Sequence, residues 1–146
     1  MTKKSCCFFG QLKLSSQKRG EVYESVSRQV SALIKDGYSD FLFGNWGDFE
    51  VVSRIAIMSL KKVNPHIRTV YYQKLVQMDA GKLLQRYDEV IPPIWDRGAY
   101  DFHNQIIIRN SDYCIFYVTN KTGEERKALQ YAIDKNKAYV NLADLT

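Results

Sequence analysis

The sequence predicts a single α/β domain, Rossmann-like and doubly wound, with a mostly parallel sheet and helices on both faces. Three observations carry this. Short apolar runs such as CCFF, FLF, TVYY and CIFYV alternate with stretches of helical period. The runs are apolar throughout, as strands covered on both faces are. A glycine or a polar turn closes them after Phe9, Phe43 and Val118, and right-handed crossovers then set the winding.

The first strand is read at 5–9 and ends at Gly10. A polar stretch with Ser15, Ser16 and Gly20 follows. In EVYESVSRQVSALIKDG, Val22, Val26, Val30, Leu33 and Ile34 fall at helical spacing, and Gly37 stops the helix. A second strand at 40–43 closes at Gly44. Asp48 is the expected N-cap of the helix FEVVSRIAIMSLKKV. Val51, Ile55, Met58 and Leu60 are read as its apolar side, and Asn64-Pro65 ends it. IRTVYY is a third strand. Residues 74–98 read as an irregular crossover or lid, with a short strand at 88–91. Residues 99–110 are helical and DYCIFYV is a strand. TGEERKALQYAIDKNK is a helix with Thr122 as its cap and Glu124-Glu125 in its first turn. AYVNL is the last strand, and one domain covers 1–146.

The 146 residues are 45% apolar and 25% charged, an ordinary globular balance. A net charge of +5 and a pI near 9.1 come from scattered lysines and arginines. A nucleic-acid stripe is denser than Lys3-Lys4 or Lys61-Lys62, so nucleic acid is not expected as a partner. The mild positive field suits small anions. Cys6, Cys7 and Cys114 show no metal-ligand spacing. They are read as reduced core residues of a cytoplasmic protein, with no metal and no cofactor. The apolar run in SCCFFG is too short for a signal peptide, and no segment reaches membrane-spanning length.

In a doubly wound sheet, ligands sit beyond the carboxyl ends of the strands. The turns after Phe9, Phe43 and Val118 are therefore expected to meet at one rim. In GNWGDFE, Gly44 and Gly47 allow tight turns, and amides at the helix start can hold an anion. A plain turn capped by Asp48 fits the same residues. Trp46 is a platform for a base, or it packs under the crossover. Glu50 is placed to take a ribose hydroxyl or assist bond cleavage, or to offset the helix dipole. His103 and Asn104 are rim candidates or surface residues. Thr122 and Gly123 suit a phosphate or a routine cap. No Ser-His-Asp or Cys-His arrangement stands out.

In this order, CCFFGQLK, FLFGNWGDFE, HNQIIIRNSDYCIFYV and TGEERKALQYAIDKNKAYVNL resemble a short member of the SLOG superfamily, in its YpsA-like branch. The resemblance runs nearly end to end and is weakest across 74–98. It implies a Rossmann-like domain for nucleotides and nucleotide-derived ligands. Some relatives cleave N-glycosidic bonds of nucleoside monophosphates, and others sense cyclic ADP-ribose-type signals. It also implies a homo-oligomer, and a ligand wall of Phe9, Gly10, Gln11, Gly44, Asn45, Trp46, Gly47, Asp48, Glu50, His103, Asn104, Thr122, Gly123 and Glu124. The departures bear on mechanism. Gln11-Leu12 stand where the family has His-Arg, His103 replaces an arginine, and Glu124 replaces a hydroxyl residue. Arginine is the best bidentate phosphate clamp, and neither leucine nor a neutral histidine replaces it. The expectation is binding of a nucleotide-derived small molecule, of cyclic ADP-ribose type, without efficient turnover. A phage-type sponge sequestering an antiviral immune signal would act this way. The alternatives are a phosphoribohydrolase-like N-glycosidic hydrolase with Glu50 as its acid, and an interaction module with a vestigial pocket.

Overall fold

The computed structural model describes residues 3–74, 79–93 and 99–145, with 99–101 described by backbone alone. The elements are β1 (Lys4–Gly10), α1 (Ser16–Lys35), β2 (Tyr38–Phe43), α2 (Asp48–Lys61), β3 (Arg68–Tyr72) and α3 (Ala80–Leu84). They continue as β4 (Glu89–Ile91), α4 (Ala99–Arg109), β5 (Tyr113–Tyr117), α5 (Glu124–Asp134) and β6 (Ala138–Asn141), followed by a 3-10 turn at Leu142–Leu145. The strands form one sheet in the order β4-β3-β2-β1-β5-β6. Every neighbouring pair is parallel. The predicted single α/β domain is thus the observed one.

The pleat sorts each strand's side chains between two cores. Cys6, Phe8, Phe41, Phe43, Ile115 and Tyr117 pack on one face against Val22, Val26 and Val30 of α1 and Phe49, Val52 and Ile57 of α2. Cys7, Phe9, Leu42, Cys114 and Phe116 pack on the other against Ile107 and Ile108 of α4 and Ala128, Leu129 and Ala132 of α5. Each fully buried aliphatic or aromatic side chain contributes about 1.5–3 kcal/mol of transfer free energy. Both faces are covered, which is why the strands carry no polar alternation. The three cysteines are buried free thiols. No described helix is long and apolar enough to cross a membrane.

Helix α1 begins where the Ser15 side chain accepts the Lys18 amide at 3.2 Å and stops at Gly37 with φ 93°. Helix α2 corrects two expectations. Its N-cap is Gly47, and Asp48 is the first helical residue, its carboxylate accepting the Leu14 amide at 2.7 Å. Its buried side is Phe49, Val52, Ala56 and Ile57, whereas Val51, Ile55 and Met58 face solvent. The helix has apolar residues on two sides, so periodicity alone does not choose between them. Residues 79–93 are also more regular than expected. Asp79 caps α3 by accepting from Gly81 and Lys82, and β4 extends the sheet edge beside β3. Residues 75–78 and 94–98 of the expected lid lie outside the described residues.

The chain leaves β1 toward one face and β5 toward the other, and these strands are neighbours. Their carboxyl ends open the crevice where doubly wound folds bind ligands.

Candidate functional site

Three loops meet at this crevice, and they bond mostly with one another. Gln11 Oε1 accepts the Thr119 amide at 3.1 Å and also the Thr119 hydroxyl, tying the β1 turn to the β5 turn. The Leu12 carbonyl accepts the Asp48 amide at 2.8 Å, and the Gln11 carbonyl accepts the Phe49 amide at 3.3 Å. Two amides at the start of α2 are therefore consumed inside the protein. The expectation that they bind an anion is corrected on that ground.

The glycines have the same internal logic. A Cβ at Gly10 would lie 2.3 Å from the Phe49 ring, and one at Gly44 would lie 2.3 Å from Ile107 and 2.8 Å from His103 Nε2. Gly47 has φ 114°, and a Cβ there would lie 2.8 Å from Leu12 Cα. Each glycine admits a neighbouring element of the chain itself.

Glu50 is 5% exposed and closes the β2 turn from below. Its carboxyl accepts the Gly44 amide at 3.1 Å and the Asn45 amide at 3.0–3.1 Å. His103 Nε2 donates to the Gly44 carbonyl at 2.7 Å. Burial lowers the His103 pKa despite that bond, and nearby Lys74 lowers it further, so the ring is neutral. Tyr71 donates to the Asn45 carbonyl at 3.0 Å, and Asn45 Nδ2 donates to Asn104 Oδ1 at 3.1 Å.

Above this scaffold lies a cavity of about 130 Å³. Of the residues expected from sequence, Phe9, Gly10, Asn45, Trp46, Glu50, Asn104 and Glu124 line it. Gln11, Gly44, Gly47, Asp48 and His103 sit around it but spend their polar groups or their space on the fold. Thr122 and Gly123 are exposed and do not line it. The N-cap of α5 is Gly123, with φ 100° and no side-chain cap, so Thr122 is not the cap expected. Sequence reasoning missed Leu12, Lys74 and Glu125 as lining residues. Glu125 was legible in principle, because it shares the first turn of α5 with Glu124. Lys74 was not, because it follows β3 and reaches the site only through the sheet order. Its Nζ lies 5.6 Å from the centre of the Trp46 ring, and that ring is 55% exposed. Among the described residues no group of three metal-ligating side chains occurs.

Solved structures share this fold. DNA processing protein A (DprA) from Helicobacter pylori, described for its single-stranded DNA binding mode, superposes with a TM-score of 0.65 at 12% identity over 94% of this chain. DprA from Streptococcus pneumoniae gives 0.68 at 12% identity over 94%, and TM1055 gives 0.64 at 11% identity over 93%. These are SLOG-type proteins. This chain shares their Rossmann-like α/β fold. It spans 64% and 49% of the two DprA chains and 72% of TM1055. Neither a family model nor a curated protein matches the sequence.

The likeness in fold overturns one expectation. The scattered basic residues point away from nucleic acid as a partner, yet one structural neighbour binds single-stranded DNA. A single strand is held by stacking its bases on aromatic rings together with a positively charged groove along its backbone, a combination that a search for a basic stripe alone does not find.

Glu50 gives the site a pH signature. Burial raises its pKa from 4.5 to about 8, outweighing the Asn45 and Gly44 amides and the Arg54 charge, all of which lower it. Below the unfolded value of 4.5 both states hold the proton, and the stabilising contribution is complete. As pH rises toward 8, the native state keeps a proton that the unfolded chain has released, and the contribution is lost at about 1.4 kcal/mol per unit. Urea unfolding is expected to show stability falling by on the order of 4 kcal/mol between pH 5 and 8. Glu50→Gln is expected to flatten that slope. An unchanged slope in the variant would assign the pH dependence to other groups.

Proposed function

We propose that this protein holds a nucleotide-derived molecule at the rim crevice, by stacking a base on Trp46, and does not turn it over efficiently. The observation that carries the reading is Trp46 itself. It is a large exposed aromatic beside a cavity at the crossover between β1 and β5, where SLOG-type folds are open to ligands. Weak turnover is supported by Glu50, whose carboxyl oxygens are occupied by the Gly44 and Asn45 amides. The proposed finer role is sequestration of a nucleotide-derived signal, the cyclic ADP-ribose type included, by a protein of the YpsA-like branch. A cytoplasmic setting goes with this reading and is supported by the three free thiols.

One observation favours the hydrolase reading. A carboxyl group beside the cavity with a pKa raised to about 8 holds its proton at neutral pH, as a general acid does.

A thermal-shift screen tests the binding claim. The probes are AMP, NAD, ADP-ribose, cyclic ADP-ribose and a thymidine oligonucleotide, the last because single-stranded DNA presents the same stacking faces. A rise in melting temperature with at least one probe is expected, since a ligand at about 100 times its Kd adds about 2.7 kcal/mol to stability. No shift with any probe would leave the interaction-module reading standing instead.

A further inference from the structure

The interlocked amides of Asn45 and Asn104 say which end of the ligand enters. Asn104 is 7% exposed and lines the cavity. Its Oδ1 is used by Asn45 Nδ2, and among the described residues its own amino group has no partner. Asn45 Oδ1 likewise accepts no hydrogen bond from a described residue. If both amides are flipped, the roles exchange and the result is the same: one amino group and one carbonyl oxygen remain to be paired. Among the described residues the buried side-chain atoms without a partner are Asp40 Oδ1 and Ser53 Oγ, so these two amide groups open onto the cavity, where a ligand can pair with them. A donor and an acceptor side by side match the hydrogen-bonding edge of a nucleobase.

The charges at the mouth, the Glu124 and Glu125 carboxylates against the Lys74 ammonium, argue on balance against phosphate in the same space. Glu124 and Glu125 line the cavity from the first turn of α5. A helix start with no side-chain cap is where a phosphate would ordinarily bind, but the chain's own carboxylates already offset that dipole. The nearest guanidinium on α5, that of Arg126, donates to the Asn120 carbonyl at 2.7 Å. Size agrees. A cavity of about 130 Å³ is below the roughly 300–1,000 Å³ of sites that enclose a drug-sized ligand, so it encloses part of a molecule. A second hollow of about 310 Å³ between α4 and α5 shares Asn104 and Glu124 with it and gives the remainder a path outward.

We infer that the site admits the base-and-sugar end of its ligand, with the Asn45–Asn104 pair reading the base edge, the Glu124 and Glu125 carboxylates facing the sugar hydroxyls, and phosphate left in solvent. This rests on the nucleotide-binding reading above and narrows it to the nucleoside moiety.

Titrations of Trp fluorescence with the four ribonucleosides and their 5′-monophosphates test it. At least one nucleoside is expected to bind more tightly than its monophosphate, with the gap widening as salt is lowered. In E124Q/E125Q, monophosphate affinity is expected to rise at least about fivefold, because the like-charge opposition is gone. Asn104→Leu, which keeps the volume, is expected to weaken nucleoside binding about tenfold. The E124Q/E125Q variant decides the question even if Asn104→Leu misfolds. A monophosphate that binds more tightly than its nucleoside, with affinity unchanged in E124Q/E125Q, overturns the inference while the nucleotide-binding reading survives. Failure of every nucleoside and every monophosphate to bind overturns the inference, and the nucleotide-binding reading falls with it only if the thermal-shift screen also shows no shift with any probe.

Discussion

Trp46→Ala is expected to weaken ligand binding roughly 5- to 150-fold, the equivalent of about 1–3 kcal/mol for one base stacked on an aromatic ring. The fold should survive. Trp46 lies beyond the end of β2 with more than half its surface in solvent, and it belongs to neither core. Within the protein, the substitution removes the approach of the Lys74 ammonium to the ring. At an exposed site such a cation–ring pair contributes about 0.5–1 kcal/mol. Calorimetric titration beside a melting curve separates the two effects. Weakened affinity with a shift of a few degrees supports the platform. Unchanged affinity would assign Trp46 to packing and remove the main support for the binding reading.

Gly47→Ala is expected to have the largest effect on the fold. Its φ of 114° lies where side-chain-bearing residues are strained, and the added methyl would meet backbone atoms of Leu12 at 2.8 and 3.1 Å. Backbone cannot step aside as a flexible side chain does. Strain of about 1–3 kcal/mol and overpacking of about 1–3 kcal/mol add to roughly 2–6 kcal/mol. For a chain of this length the melting temperature falls by roughly 3–4 °C per kcal/mol, or about 6–24 °C. The bonds from Asp48 to Leu12 and from Phe49 to Gln11 join the same two loops, so the rim should loosen with them. Gly20→Ala is the control. A Cβ there meets nothing within 4 Å, inside a helix, so stability should hold or rise by about 1 kcal/mol. A Gly47→Ala melting curve matching wild type would show that the Leu12 turn is not clamped as described.

The sheet is legible in the sequence because the signals for it are local. Unbroken apolar runs and glycine stops place strands, and alternation with helices gives the parallel winding. The convergence of the turns after Phe9, Phe43 and Val118 follows from the winding alone. What the glycines do is not legible. The same Gly-x-x-Gly serves a phosphate or a neighbouring loop, and only the approach of Leu12 to Gly47 decides. The apolar side of α2 escapes periodicity because Val51 and Val52 both extend plausible stripes, and burial is settled by β1 and β2 beneath. Glu50 can be seen as a first-turn carboxylate, but its hold on Gly44 and Asn45 depends on how the loop folds back. Lys74 enters the site across the sheet, where spacing along the chain carries no information.

The central claim is that this crevice holds a nucleotide-derived molecule and does not cleave it. The most direct measurement takes a probe that raises the melting temperature, incubates it overnight with the protein at neutral pH, releases it by heat and identifies it by chromatography and mass spectrometry. Stoichiometric recovery of the intact molecule is the expected result. Free base in amounts exceeding the protein would contradict it and would favour the glycosidic-hydrolase reading.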